Sequence, residues 1–220
     1  MTTTSAPVDA VSSIPDPTTP AGIETDPGLL DRVAERMRSQ GIEAIVVDTA
    51  AAARDAVLAR VPDGSEVHSG KSKTIEDLGL FDLFMASDRW DFVRNRLRAM
   101  DRATQAREMR KLGAAPDIEL GSVAAVTEDG ALVAASATGN QLAAYAGGAG
   151  KVILVVGAQK VVKDLDAALA RIRDDVYPWE NARVNQMMGV DTKLAKILVT
   201  YGEWVPERTT VILVREPVGV

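Results

Sequence analysis

Residues 116–160 read PDIELGSVAAVTEDGALVAASATGNQLAAYAGGAGKVILVVGAQK, and this stretch decides the fold. Two apolar runs, residues 123–126 and 131–135, are joined by Glu128-Asp129-Gly130. Asp-Gly between apolar runs is the strongest short-range signal for a β-hairpin. A small polar cluster follows at 136–140, then a helix reading QLAAYA that the glycines at 147, 148 and 150 stop. Lys151–Gly157 is continuously apolar after its first residue, which predicts a strand covered on both faces. That is how a central strand of an α/β sheet reads. The polar residues gather at the turns, and in α/β sheets sites sit at the carboxyl ends of the strands.

Working outward, the chain before this stretch alternates helix and strand. Leu29, Leu30, Val33 and Met37 share a helical face that Gly41 closes. Residues 43–48 read as a strand, Thr49 as the cap of an Ala-rich helix, and 66–68 as a short strand. This order predicts parallel pairing with covering helices. Residues 73–112 read as largely helical, with Trp90, Phe92, Val93, Leu97 and Met100 as an apolar stripe. Beyond Lys160 the pattern predicts a helix over 162–172 stopped at Tyr177-Pro178, and a helix over 181–196 broken at Gly189. Two strands close the chain, Lys196–Thr200 and Thr209–Val214. Residues 1–26, rich in Thr, Ser and Pro, lack apolar periodicity and read as a disordered tail. Residues 27–220 then form one α/β domain.

Composition narrows function by exclusion. The net charge of −6 argues against phosphate-backbone binding, so no nucleic-acid partner is expected. No apolar run reaches the ~18–20 residues that span a bilayer, and the N-terminus is unlike a signal peptide; the expected location is cytoplasmic. The chain has no cysteine and one histidine, His68. Disulfides, thiolate nucleophiles, cysteine-ligated clusters and multi-histidine metal sites are therefore not expected, and no cofactor is assigned to this chain.

Several segments carry candidate chemistry. Ser69-Gly70-Lys71-Ser72-Lys73-Thr74 resembles a phosphate loop, but Gly64 precedes Gly70 by one residue too many for that motif. What survives is a strand-to-helix loop in which backbone N–H groups and the Ser72 and Thr74 hydroxyls hold an anion. Alongside it stands a second reading, Thr74 with Asp77 as a helix cap. His68 reads as a hydrogen-bonded strand histidine near a pocket mouth, since no second histidine exists to build a triad. Glu128 offers a carboxylate for nucleophilic or acid–base work if buried, while a plain hairpin turn equally explains Glu-Asp-Gly. Asn140 either binds a ligand or caps the helix after Gly139. Lys160, at the end of a buried strand, either meets an anion or lies on the surface.

Taken together, several segments resemble the lactate-utilisation (LUD) domain family, that of the lactate utilisation protein C subunit. They are Ser72-x-Thr74-Ile75-Glu76-x-Leu78-Gly79-Leu80, residues 126–133 (VTEDGALV), Thr138-Gly139-Asn140, residues 151–164 and Asn181-Ala182-Arg183. The resemblance covers residues 28–215. It implies a three-layer α/β/α sandwich with a mostly parallel sheet, like the sugar-phosphate isomerase and CoA-transferase group. It also implies a part in L-lactate oxidation to pyruvate with iron–sulfur oxidoreductase subunits as partners, and it leaves homo-oligomer formation open. The alternatives are a stand-alone CoA-transferase-like or isomerase-like enzyme using Glu128, and a non-catalytic ligand-binding domain. The loop 70–74, the turn 128–130 and the segment 138–140, each polar, at a predicted strand end and part of the resemblance, are expected to converge on one cleft, where a small anionic metabolite meets Gly70, Ser72, Thr74, Glu76, Gly130, Thr138, Gly139, Asn140 and Lys160, with Glu128 catalytic. Similar members are expected to carry Asp near position 136 and Arg at 141, where this chain has Ser136 and Gln141, and a cysteine-rich run after Asn-Ala-Arg, which is absent here.

Deleting residues 1–26 is expected to move the melting midpoint by less than about 5 °C, measured by scanning calorimetry. A larger drop would show that the tail docks on the domain.

Overall fold

The protein is described here from a computed structural model, which covers Asp26, residues 28–70 and residues 72–220. Except for Asp26, the tail assigned from sequence lies outside the described residues. The chain opens with α1 (Leu29–Ser39), whose Leu30, Val33, Ala34 and Met37 are buried, and continues into β1 (Glu43–Val47). Next comes α2 (Ala50–Leu58), where the Thr49 hydroxyl accepts the Ala52 N–H as a side-chain cap should. Then follow β2 (Glu66–His68), α3 (Lys73–Asp77), α4 (Leu80–Ala86), β3 (Asp91–Phe92), α5 (Val93–Ala99) and α6 (Arg102–Ala114). The region expected to be largely helical is thus four helices interrupted by a two-residue strand. Its apolar stripe is split, with Trp90, Phe92 and Val93 buried.

The deciding stretch contributes β4 (Ile118–Gly121), β5 (Ala125–Thr127), β6 (Leu132–Ser136), α7 (Asn140–Ala143), a π-helical turn (Ala144–Gly148) and β7 (Lys151–Gly157). After a 3-10 turn (Ala158–Lys160) come β8 (Val161–Val162), α8 (Leu165–Arg171), a second π-helical turn (Ile172–Val176) and α9 (Tyr177–Met188). Finally, β9 (Lys196–Thr200) and β10 (Thr209–Val214) close the chain. The stop expected at Tyr177-Pro178 is absent, because Pro178 sits in the first turn of α9, where no N–H is required. Nor does a helix persist to 196: Gly189, at φ +69°, ends α9 in the left-handed region.

Six strands form the main sheet in the order β1-β10-β7-β4-β2-β3, and every neighbouring pair is parallel. β7 lies inside it, and its side chains divide as strand alternation requires. Val152, Leu154 and Val156 enter one apolar core, whereas Ile153 and Val155 enter the other. The second core is closed by α2, α3 and α4. The first is closed by α1 together with a feature the sequence did not announce, a second sheet of four strands ordered β8-β5-β6-β9. Within it the Asp-Gly hairpin pairs β5 with β6 antiparallel, as expected. Its outer face packs Ala125, Val133, Ala168 and Ile172, placing α8 outside it. The protein is therefore α/β, with a parallel six-stranded sheet flanked on both faces as in a three-layer α/β/α sandwich. Among the described residues no helix is long and apolar enough to cross a membrane.

One glycine fixes how the π-helical turn Ala144–Gly148 meets α6. At Gly148 a Cβ would overlap the carbonyl oxygen of Ala114 at the end of α6, and backbone cannot swing aside as a side chain can. Gly148→Ala is expected to destabilise the domain by about 1–3 kcal/mol through this forced overlap, read by urea unfolding. An unchanged midpoint would show that α6 and the π-helical turn slide apart at no cost.

Candidate functional site

Because β2, β4 and β7 run parallel, their carboxyl ends deliver His68, Glu119-Leu120-Gly121-Ser122 and the 158–160 turn to one rim of the sheet. Lys160 is only 2% exposed. Its ammonium donates to the Thr74 Oγ1 at 2.8 Å and to the Ser122 Oγ at 2.9 Å. Three elements thus meet on one cation: the turn after β7, the loop after β4 and helix α3. A buried ammonium must be hydrogen-bonded to offset lost hydration, and two hydroxyls do part of this. Ser122 is tied in further, since the Tyr145 hydroxyl donates to its carbonyl oxygen at 3.2 Å. Burial pushes the Tyr145 phenol well above its ordinary range, so it remains a neutral donor.

A second buried pair lies on the same strands. His68 Nδ1 stands 2.6 Å from Glu119 Oε2, and both side chains are almost completely buried. The other carboxyl oxygen of Glu119 has no hydrogen-bond partner. Burial raises the Glu119 pKa above its usual range, opposed by the hydrogen bond and charge of His68 and, more weakly, by the Gly70 backbone N–H and the Arg94 charge. Gly113 of α6 lies over the imidazole, where a Cβ would stand 3.9 Å from Nε2. His68 is hydrogen-bonded, as expected, but it sits beneath the rim, not at its mouth.

The expected site residues divide into two groups. Thr74 is buried and joined to Lys160; it does not cap α3, whose cap position is Ser72, half-buried and without a side-chain cap bond. Asp77, the proposed partner of that cap, instead pairs with Lys73 and accepts the Gly219 N–H at 3.1 Å. Glu76 is half-buried and electrostatically coupled to Arg94. Gly70 faces Gln141, whose side chain would be 3.9 Å from a Cβ there, so the loop and the segment 138–141 do approach one another. Within that segment Thr138 and Asn140 are exposed, while Gly139 has φ +87° and donates its N–H to Ser136 Oγ at 2.9 Å.

Glu128 and Gly130 belong elsewhere. Glu128 is exposed, and its N–H donates to the Val162 carbonyl at 2.9 Å. The turn leans on α1: Gln40 Nε2 donates to the Asp129 carbonyl at 3.0 Å, and a Cβ on Gly130 would meet Gln40 Oε1 at 2.8 Å. Since Val126 pairs with Val161, Glu128 stands three residues along the β5–β8 ladder from the level of Lys160, about 10 Å at ~3.3 Å per residue. The shared cleft expected for Glu128, Ser72 and Asn140 is not formed by the turn; its geometry is that of a structural hairpin.

Reading the sequence did not single out Ser122, Glu119 or Tyr145. One signal was present, a carboxylate inside the apolar alternation Ile118-Glu119-Leu120. The C-terminal residues complete the rim. Gln159 Nε2 donates to the carbonyls of Val218 and Gly219 at 2.9 and 3.0 Å, and Gly219 lies so close to Thr74 that a Cβ would overlap its hydroxyl.

Known proteins offer a family match and a structural likeness. The family model described as "LUD domain" matches residues 30–214. The crystal structure of a DUF162 family protein from Deinococcus radiodurans is similar with a TM-score of 0.48 and 15% identity, over 84% of this chain and 96% of that chain. No curated protein matches the chain.

The raised Glu119 pKa gives a pH signature. A group protonated more readily in the folded state stabilises fully below its unfolded pKa, near 4.5, and that contribution is lost as pH rises through the folded value. Glu119→Gln stays neutral and can still accept from His68. Its stability relative to the parent should therefore grow as pH is raised from about 4 to about 8, measured by urea unfolding. A difference that does not change with pH would show that Glu119 titrates as an ordinary exposed carboxylate.

Proposed function

Because the chain belongs to the LUD-domain family, we propose that it is a lactate-utilisation-associated protein that binds a small anionic metabolite at the rim formed by Lys160, Thr74 and Ser122. The observation that carries this reading is the Lys160 ammonium, buried at the strand ends and held by two hydroxyls from separate elements. A short 2-hydroxy or 2-oxo carboxylate suits such a place, because its carboxylate pairs with the cation while the hydroxyls turn to accept or donate. Gly70, Ser72, Gly139 and Asn140 border the same rim in this reading, and Glu76 with Arg94 sets its charge on the far side.

Electron transfer is assigned to partners. The chain has no cysteine and one histidine, so its donor set does not fit an iron–sulfur cluster. Among the described residues no group of three His, Cys, Asp or Glu side chains could hold a metal ion. Lactate oxidation then draws on iron–sulfur subunits that accept the electrons, while this chain supplies binding and orientation.

A second reading is favoured by one observation, the buried Glu119 with a raised pKa beside His68. In an acid–base enzyme of this fold Glu119, not Glu128, is the group with the required burial. Glu128→Gln is then silent, whereas Glu119→Gln removes turnover.

The test uses L-lactate, pyruvate and inorganic phosphate as probes in titration calorimetry on the whole chain. Lys160→Met should weaken carboxylate binding by about 10- to 100-fold, the loss of one charge-assisted hydrogen bond. Thr74→Val and Ser122→Ala should each weaken it less. Equal affinity in Lys160→Met, with an unchanged circular dichroism spectrum, would move the binding site away from this rim.

A further inference from the structure

The exposed apolar surface of this protein is concentrated in one place. Of the large hydrophobic side chains that are exposed among the described residues, all but Leu169 lie between Met188 and Val205, and Trp204 is 94% exposed. They flank β9, which is an edge of the four-stranded sheet and has β6 as its sole strand neighbour among the described residues. An edge strand presents a row of backbone N–H and C=O groups ready to pair, and proteins usually blunt such edges with charge, proline or a bulge. β9 reads Lys-Ile-Leu-Val-Thr, and its lone charge is at one end, where the Lys196 ammonium is drawn back to the Ala137 carbonyl at 3.3 Å. This edge is not blunted.

We propose that β9 pairs antiparallel with β9 of a second copy of this chain, joining two four-stranded sheets into one across a two-fold axis at Leu198. The occupant is a second copy because the surface is complementary to itself. A two-fold at Leu198 sets Ile197 opposite Val199, and Lys196 opposite Thr200, so no like charges meet directly. The flank before the strand carries exposed Val190 and Leu194 with Lys193; the flank after it carries exposed Tyr201 and Trp204 with Glu207. Antiparallel pairing lays each flank on its opposite, apolar on apolar and basic on acidic, and the symmetry repeats the match. Asp191, the acidic residue on the basic flank, is turned away, accepting hydrogen bonds from Asn181 and Asn185 on α9. Glu203 lies outside this match, since its carboxylate is already paired with Arg208 at 2.8 Å and accepts from Thr209.

The surface lies on the second sheet, so this inference is independent of the ligand and of the chemistry at the Lys160 rim. Sedimentation of the full chain from about 1 to about 100 µM should show twice the chain mass at the upper end. Tryptophan emission provides a separate readout. Trp90 and Trp179 are already buried, so a blue shift with rising concentration reports Trp204, and Trp204→Ser should abolish it. Ile197→Lys and Trp204→Ser should each weaken dimerisation by about tenfold or more while leaving the far-ultraviolet spectrum unchanged. Leu169→Ser, an exposed apolar residue away from the strand, should remain dimeric. A monomer throughout the concentration range overturns the proposal, as does a dimer whose affinity survives both substitutions. Assembly only with a different protein also overturns it.

Discussion

Strand β7 has no polar face to show water, and most of the architecture follows from that constraint. Val152, Leu154 and Val156 on one side and Ile153 and Val155 on the other each need a covering layer. One side is met by short helices, the other by α1 with a small mixed sheet. A strand buried on both faces can display function only at its ends. β7 closes on Gly157 and passes straight into the turn that carries Gln159 and Lys160, both buried. The same turn therefore anchors the C-terminal residues through Gln159 and the loop after β4 through Lys160.

Two buried ionisable groups on neighbouring strand ends are handled in opposite ways. Lys160 donates to hydroxyls on two separate elements, Thr74 and Ser122. Glu119 instead has one oxygen against His68 and the other without a hydrogen-bond partner, so burial moves it toward its neutral form. The Glu119 charge also acts on Tyr145, which is bonded to Ser122, which in turn accepts from Lys160. Ser122 is thus held from both sides, by Tyr145 at its carbonyl and by Lys160 at its hydroxyl, while Glu119 reaches Tyr145 through charge alone.

How much of this was legible in the sequence depended on whether the signal was local. The Asp-Gly hairpin, β7, the last strand and the Thr49 cap are set by residues within a few positions of one another, and they were read correctly. β4 was not, because Glu119 interrupts its apolar alternation; only its burial against His68, which is 51 positions away, explains a carboxylate there. The second sheet was hidden for the same reason, since β9 joins β6 across about 60 residues and no short-range pattern announces the pairing. Glu128 shows the converse failure. Its local chemistry suited a catalytic carboxylate and a turn equally, and the packing of Gly130 against Gln40 decided for the turn. Lys160 and Thr74 were named separately from sequence, but their contact across 86 positions was not.

The positions that depart from the family resemblance also have a physical reading. Where similar members are expected to carry Asp and Arg, Ser136 Oγ and Gln141 Oε1 stand 3.4 Å apart as a neutral pair. Ser136 accepts the Gly139 N–H, and Gln141 packs beneath Gly70. What does not survive is the charge. A guanidinium at 141 would add a second cation beside the loop after β2, with a fork that clamps a carboxylate at two points. A neutral amide offers a single donor pair of about half the strength. In the proposed reading, position 141 therefore contributes hydrogen bonding and no charge to the rim.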